Sequence, residues 1–130
     1  MATDPTLPLN AALYGALNAA LAVPVYDIQA PQDAAFPYVT IGELISAPDD
    51  TKGEPAMDVL ATFHVWSRSR SSAEAKGIMA QIYAALHMQP QTVADAVMNW
   101  CRMDVQQTTI DPDGITHHAL ARYQIRIEAA

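Results

Sequence analysis

The sequence predicts an α+β fold, a mostly antiparallel sheet carrying two helices on one face, and three observations lead there. Two segments, 8–22 and 71–87, place apolar residues three and four apart, the spacing of one helical face. Other segments alternate apolar and polar residues with the two-residue period of a strand. The last two strands are joined by Asp111-Pro112-Asp113-Gly114, a tight turn, so they pair antiparallel instead of through helical crossovers. A chain of 130 residues holds one domain, 1–130, and folding at that size buries about two-thirds of the surface the unfolded chain exposes.

The first helix carries Leu9, Leu13, Ala16, Leu17, Ala20 and Leu21 on one face and stops before Pro24. Thr6 or Asn10 is expected to cap it, and Pro8 suits a first turn because it has no N–H to leave unpaired. A short extended piece, 25–28, precedes a break at 30–33, and 36–42 reads as a strand with Pro37 confined to its beginning. Residues 46–55 hold two prolines, a glycine and mixed charges with no large apolar residue, which predicts a long loop. In 57–67, Val59, Ala61, Phe63 and Val65 point one way and Leu60, Thr62, His64 and Trp66 the other, as in a central strand covered on both sides or covered by a neighbouring subunit.

Ser71-Ser72-Ala73-Glu74 matches the S-x-x-E capping box ahead of a second helix with Ala75, Ile78, Met79, Ile82, Tyr83 and Leu86 on its stripe. That helix ends near His87, before Pro90. Residues 93–98 fit a helical turn or the approach to a strand equally well. Strands 100–110 and 115–128 follow, the second with Ile115, Ala119, Ala121, Tyr123, Ile125 and Ile127 inward. The resulting order is α-β-β-β-α-β-β. Leu13, Leu17, Ile78, Ile82 and Leu86 are expected to pack on Val59 or Leu60, Phe63, Tyr123 and Ile125.

Composition narrows the function. Seven Lys and Arg stand against 14 Asp and Glu, a net charge of −7, which disfavours general affinity for nucleic acid or an anionic membrane. No apolar run approaches a membrane span of about 18 residues, and the N-terminus lacks the pattern of a signal peptide, so a cytoplasmic protein is expected. Charged residues make up 16% of the chain. Since about 25% is usual, part of the surface is expected to face other protein.

No motif in the chain assembles a catalytic or metal centre. One cysteine, Cys101, precludes an intrachain disulfide or a thiolate zinc site, and a buried structural thiol is the expected reading. His117 and His118 are adjacent, but neighbours on a strand point to opposite faces and cannot share an ion. His64 and His87 read as structural, the latter beside the terminal carbonyls of the second helix. Serines 67, 69, 71 and 72 lack a nucleophile elbow, and no phosphate-cradling glycine loop occurs. Catalytic, cofactor and metal residues are therefore expected to be absent.

Several short runs in order resemble a known family. They are Val25-Tyr26-Asp27, Phe36-Pro37-Tyr38-Val39-Thr40-Ile41-Gly42, Asp50-Thr51, Val65-Trp66-Ser67-Arg68 ahead of Ala73-Glu74-Ala75, and Asp111-Pro112-Asp113-Gly114 with His117-His118. Together they are similar to the tail-completion, or tail-terminator, proteins of long-tailed bacteriophages and gene transfer agents. The resemblance implies a non-enzymatic virion protein, assembled in the bacterial cytoplasm as a ring, typically a hexamer, at the head-proximal end of the tail. It implies tail-tube protein and neck or head-tail connector proteins as partners, with DNA crossing the channel without specific binding. Asp49, Asp50, Thr51, Lys52, Gly53 and Glu54 are the expected partner-binding loop. A head-to-tail adaptor and a small ligand-binding module or enzyme are the alternatives.

Overall fold

The computed structural model describes residues 4–50 and 55–129. Along the chain run α1 (Thr6–Ala20), β1 (Val25–Asp27), β2 (Tyr38–Pro48), β3 (Ala56–Ser67), α2 (Ala73–Leu86), β4 (Thr92–Val93), β5 (Ala96–Ile110) and β6 (His117–Ala129). The strands form one sheet in the order β1-β2-β3-β6-β5-β4, antiparallel throughout except where β1 runs parallel to β2.

Both helices pack on one face of this sheet. Leu9, Leu13 and Leu17 of α1 and Ala75, Ile78, Met79, Ile82 and Leu86 of α2 are buried against it. The sheet supplies Val59, Ala61, Phe63 and Val65 from β3 and Ala119, Ala121, Tyr123, Ile125 and Ile127 from β6, all almost fully buried. Val59, not Leu60, belongs to this core. Phe63 and Tyr123 meet edge to face at 5.7 Å in its centre.

Local chemistry departs from expectation at several element ends. The amide and hydroxyl of Thr6 both donate to Asp4 Oδ1, at 2.9 and 2.5 Å, so Asp4 and not Thr6 or Asn10 closes the start of α1. These bonds hold the Asp4 carboxyl below the ordinary carboxylate range. The capping box of α2 does not form. Glu74 Oε1 accepts from the buried Ser67 hydroxyl at 2.6 Å, and Ser71 Oγ accepts from the Ala73 N–H at 3.3 Å. Tyr83 is exposed and stacks on His87 at 4.4 Å.

Strand boundaries also move. β2 runs on through Ser46, Ala47 and Pro48, which pair with Val59, Asp58 and Met57 of β3, so the loop is shorter than 46–55. Pro48 is tolerated because Asp49 N donates to the Ala56 carbonyl at 2.8 Å, which turns the Pro48 nitrogen toward the open side. The ambiguous 93–98 stretch is a hairpin in which β4 pairs with the start of β5, and Asp95 takes a φ of 57° in its turn. No glycine marks that turn, hence the ambiguity. Ile115 is exposed and β6 begins at His117 instead. The Asp113 carboxylate holds the turn before it, accepting from the Ile115 and Thr116 amides and the Thr116 hydroxyl, which lowers its pKa to about 2.

Candidate assembly surface

Among the described residues no helix covers the opposite face of the sheet, so β3 is not packed between two layers within one copy, and directed polar contacts gather on that open face. Cross-strand rows set its contacts: Tyr38 of β2 lies beside Trp66 of β3, which lies beside His118 of β6. The rings follow this row, Trp66 stacking on His118 at 3.9 Å and Tyr38 on Trp66 at 6.4 Å. The next row carries His64, whose Nδ1 shares a hydrogen bond of 2.7 Å with His118 Nε2. Gly42 makes room for this ring: a Cβ there would stand 2.8 Å from His64 Nε2. Burial lowers the pKa of both imidazoles below the ordinary histidine value; the charge of His118 lowers His64 further, while Glu43 and Asp111 act in the other direction.

The far end of the same face holds a charge cluster. Arg126 of β6 pairs with the Asp49 carboxylate and lies 3.9 Å from Asp58 and 3.8 Å from Glu128. Asp50 Oδ1 accepts from the Ala56 amide at 3.0 Å, anchoring the hairpin from its other side. Asp49 and Asp50 are thus held at the mouth of the β2–β3 connection. Thr51, Lys52, Gly53 and Glu54 lie outside the described residues. Strand alternation marks Arg126 only as outward; its role needs the β3–β6 register, which sets it opposite Asp58.

His117 is buried on the helix side while its neighbour His118 lies on the bare face, the opposed directions that strand geometry requires. The close imidazole pair is instead His64 with His118, two residues whose proximity no sequence spacing signals. Among the described residues no three His, Cys, Asp or Glu side chains converge as a metal site would need. Cys101 is buried, and that burial pushes its thiol up to about 12, far from a reactive thiolate. His87 Nδ1 accepts from the Met103 amide at 3.1 Å, so it bridges α2 to β5 instead of meeting the helix carbonyls. Arg68 covers the Phe36 ring at 4.2 Å and donates from Nε to Thr116 Oγ1.

Comparison with known proteins agrees with this architecture. The family model described as tail completion protein gp17 matches residues 9–128. Tail completion protein gp17 of Bacillus phage SPP1 is 29% identical over 96 residues, covering 74% of this chain and 71% of that protein. The solved structure of bacteriophage SPP1 gp17 superposes with a TM-score of 0.59 at 27% identity, over 96% of this chain and 91% of the other. A chain from the virion of a native gene transfer agent particle shares the fold more closely, with a TM-score of 0.87 at 19% identity, over 98% of this chain and all of that one.

Proposed function

The chain belongs to the tail completion protein gp17 family, and from that premise we propose that it is a non-enzymatic structural protein that completes a phage-like tail. In this reading copies form a hexameric ring at the head-proximal end of the tail tube, where the ring ends tube polymerisation and receives the neck. The observation that carries the reading is the extent of the family match: residues 9–128 take in every helix and strand apart from residues 6–8 of α1 and Ala129 of β6. The net charge of −7 is in keeping with a channel wall that DNA crosses without adhering.

Within that role the residues Asp49, Asp50, Thr51, Lys52, Gly53 and Glu54 are proposed to contact tube or neck protein. Asp49 and Asp50 support this by fixing both sides of the connection to β3 and β6. The test has two arms. Particles made without this protein are expected by electron microscopy to show tails of uncontrolled length or tails detached from heads; tails of normal length on heads would sink the proposal. Exchanging Thr51–Glu54 for a Gly/Ser linker, with Asp49 and Asp50 kept, is expected to give a folded protein that joins heads poorly. Full head joining by that variant returns the loop to solvent and leaves the ring reading intact.

A further inference from the structure

Each outermost strand covers only a short part of the strand beside it. β1 pairs with Val39, Thr40 and Ile41 of β2, and β4 with Ala96 and Val97 of β5. Next along β5, the Cys101 carbonyl accepts from the Met88 amide at 2.7 Å and the Met103 amide donates to His87. Past the bulge between Met103 and Val105, no described residue bonds to the outer side of β5. Asp111 N donates to the Thr116 carbonyl at 2.8 Å, which sets the phase of the ladder. Val105, Gln107 and Thr109 therefore face β6, and the amides and carbonyls of Gln106, Thr108 and Ile110 point outward.

The two uncovered stretches differ. The outer side of β2 at 44–48 is blunted by a bulge and by Pro48, which has no N–H to offer. Residues 106–110 of β5 carry no proline, no lysine and no bulge, and they border a groove against Lys76 and Met79 of α2. An edge of that kind accepts a strand.

The register of the sheet identifies a strand that fits. Thr108 lies on one cross-strand row with Ala119, Val65, Val39 and Val25, and Gln106 on another with Ala121, Phe63, Ile41 and Asp27. In β1 the Pro24 carbonyl and the Ile28 amide bond to β2, so the amide and carbonyl of Val25 and the amide of Asp27 point outward as well, while the Asp27 carbonyl accepts from the Gln29 amide at 2.7 Å. β1 runs opposite to β5. A second copy turned about an axis parallel to the strands therefore brings its Asp27 level with Gln106 and its Val25 level with Thr108, antiparallel, so that the Val25 amide and carbonyl face those of Thr108 and the Asp27 amide faces the Gln106 carbonyl. Charge agrees with this seating: Asp27 is exposed on the helix side, and Lys76, exposed beside Thr108, has no ion pair among the described residues.

We propose that β1 of one copy adds to β5 of the next as an antiparallel strand, locked by Asp27 of one copy against Lys76 of its neighbour. The contact is head to tail, so repetition closes a ring or runs on as a filament. The proposal rests on the ring reading above and names its joint.

Native mass spectrometry and sedimentation of the full chain read the assembled mass, with circular dichroism following the fold. Thr108→Pro removes one outward donor and no bond to β6, and is expected to weaken association by about tenfold or more, the equivalent of one hydrogen bond. Asp27→Lys and Lys76→Asp are each expected to weaken it, and the double exchange to restore it. That rescue also decides the matter if the proline variant fails to fold. Wild type that assembles while the charge variants and a folded Thr108→Pro assemble equally well overturns the strand joint and spares the ring reading. Wild type that stays monomeric, alone and with isolated tail tubes, overturns both.

Discussion

The two faces of one sheet follow different rules. On the helix-covered face, neighbours in space are apolar and interchangeable in kind: Leu13, Leu17, Ile82, Phe63, Ile125 and Ile127 are all fully buried and make no directed bond through their side chains. On the bare face, the contacts are specific pairs: Trp66 with His118, His64 with His118, Arg126 with Asp49. Non-directional burial tolerates imprecision in register, whereas directed pairs exist only in one register. The covered face therefore holds the fold together, and the bare face records how its strands are aligned.

The largest expected effect tests the covered face. Ile82 is fully buried between α2 and the sheet, and Ile82→Ala is expected to cost about 2–5 kcal/mol through lost burial and the cavity left behind. A denaturant titration gives the value directly. An unchanged midpoint would mean that α2 does not pack as described.

A second test on the same face has the opposite sign. The Tyr123 side chain is completely buried, burial raises its pKa further above the ordinary tyrosine value, and its hydroxyl has no partner among the described residues. Tyr123→Phe removes the stranded group while keeping the ring against Phe63. A gain of about 1–2 kcal/mol is expected, because an unsatisfied buried hydroxyl costs that order of free energy. A loss of stability would show that the hydroxyl has a partner the described contacts omit.

The same contrast governs what the sequence reveals. The stripes of α1 and α2 and the inward alternation of β3 and β6 repeat at fixed spacing, so Leu13, Ile78, Phe63 and Tyr123 are legible as core from that spacing alone. The end of β2 is not: Pro48 argues against a strand until its nitrogen is known to face the open side. The S-x-x-E box at Ser71 is a misleading signal, since Glu74 is drawn instead to Ser67, a contact set by the path from β3 into α2. The segment 46–55 is legible only as a loop. That Asp49 reaches Arg126 depends on strand pairing across a separation of 77 positions.

On the bare face, Arg126 offers the larger of two tests. Its guanidinium lies among Asp49, Asp58 and Glu128, so Arg126→Leu leaves three carboxylates without that cation. The carboxylates are partly exposed, and screening by water limits the cost to about 1 kcal/mol. Raising salt should shrink the difference between variant and parent in thermal melts. A difference independent of salt would assign the loss to packing of the arginine stem.

The smallest effect comes from the imidazole pair, and its sign follows from linkage. Burial lowers the pKa of His64 and His118 in the folded protein below the ordinary value of 6.5, so near and below that pH the unfolded chain binds more protons. Stability contributed by the neutral pair is present above pH 6.5 and is lost as the pH falls through that value toward the lower folded pKa values. The groups facing the pair temper the effect, because Asp111, 3.8 Å from His118 Nδ1, and Glu43 near His64 favour the charged forms. Melting temperatures at pH 7.5 and 5.5 should therefore differ more for the parent than for a His64→Gln/His118→Gln double variant, which retains polar side chains but cannot titrate. His87 and His117 are common to both proteins and cancel in the comparison. Equal pH dependence in the two proteins would mean that the pair is not buried enough to resist protonation, and the directed contacts of the bare face would then reduce to the Trp66 stack and the Arg126 cluster.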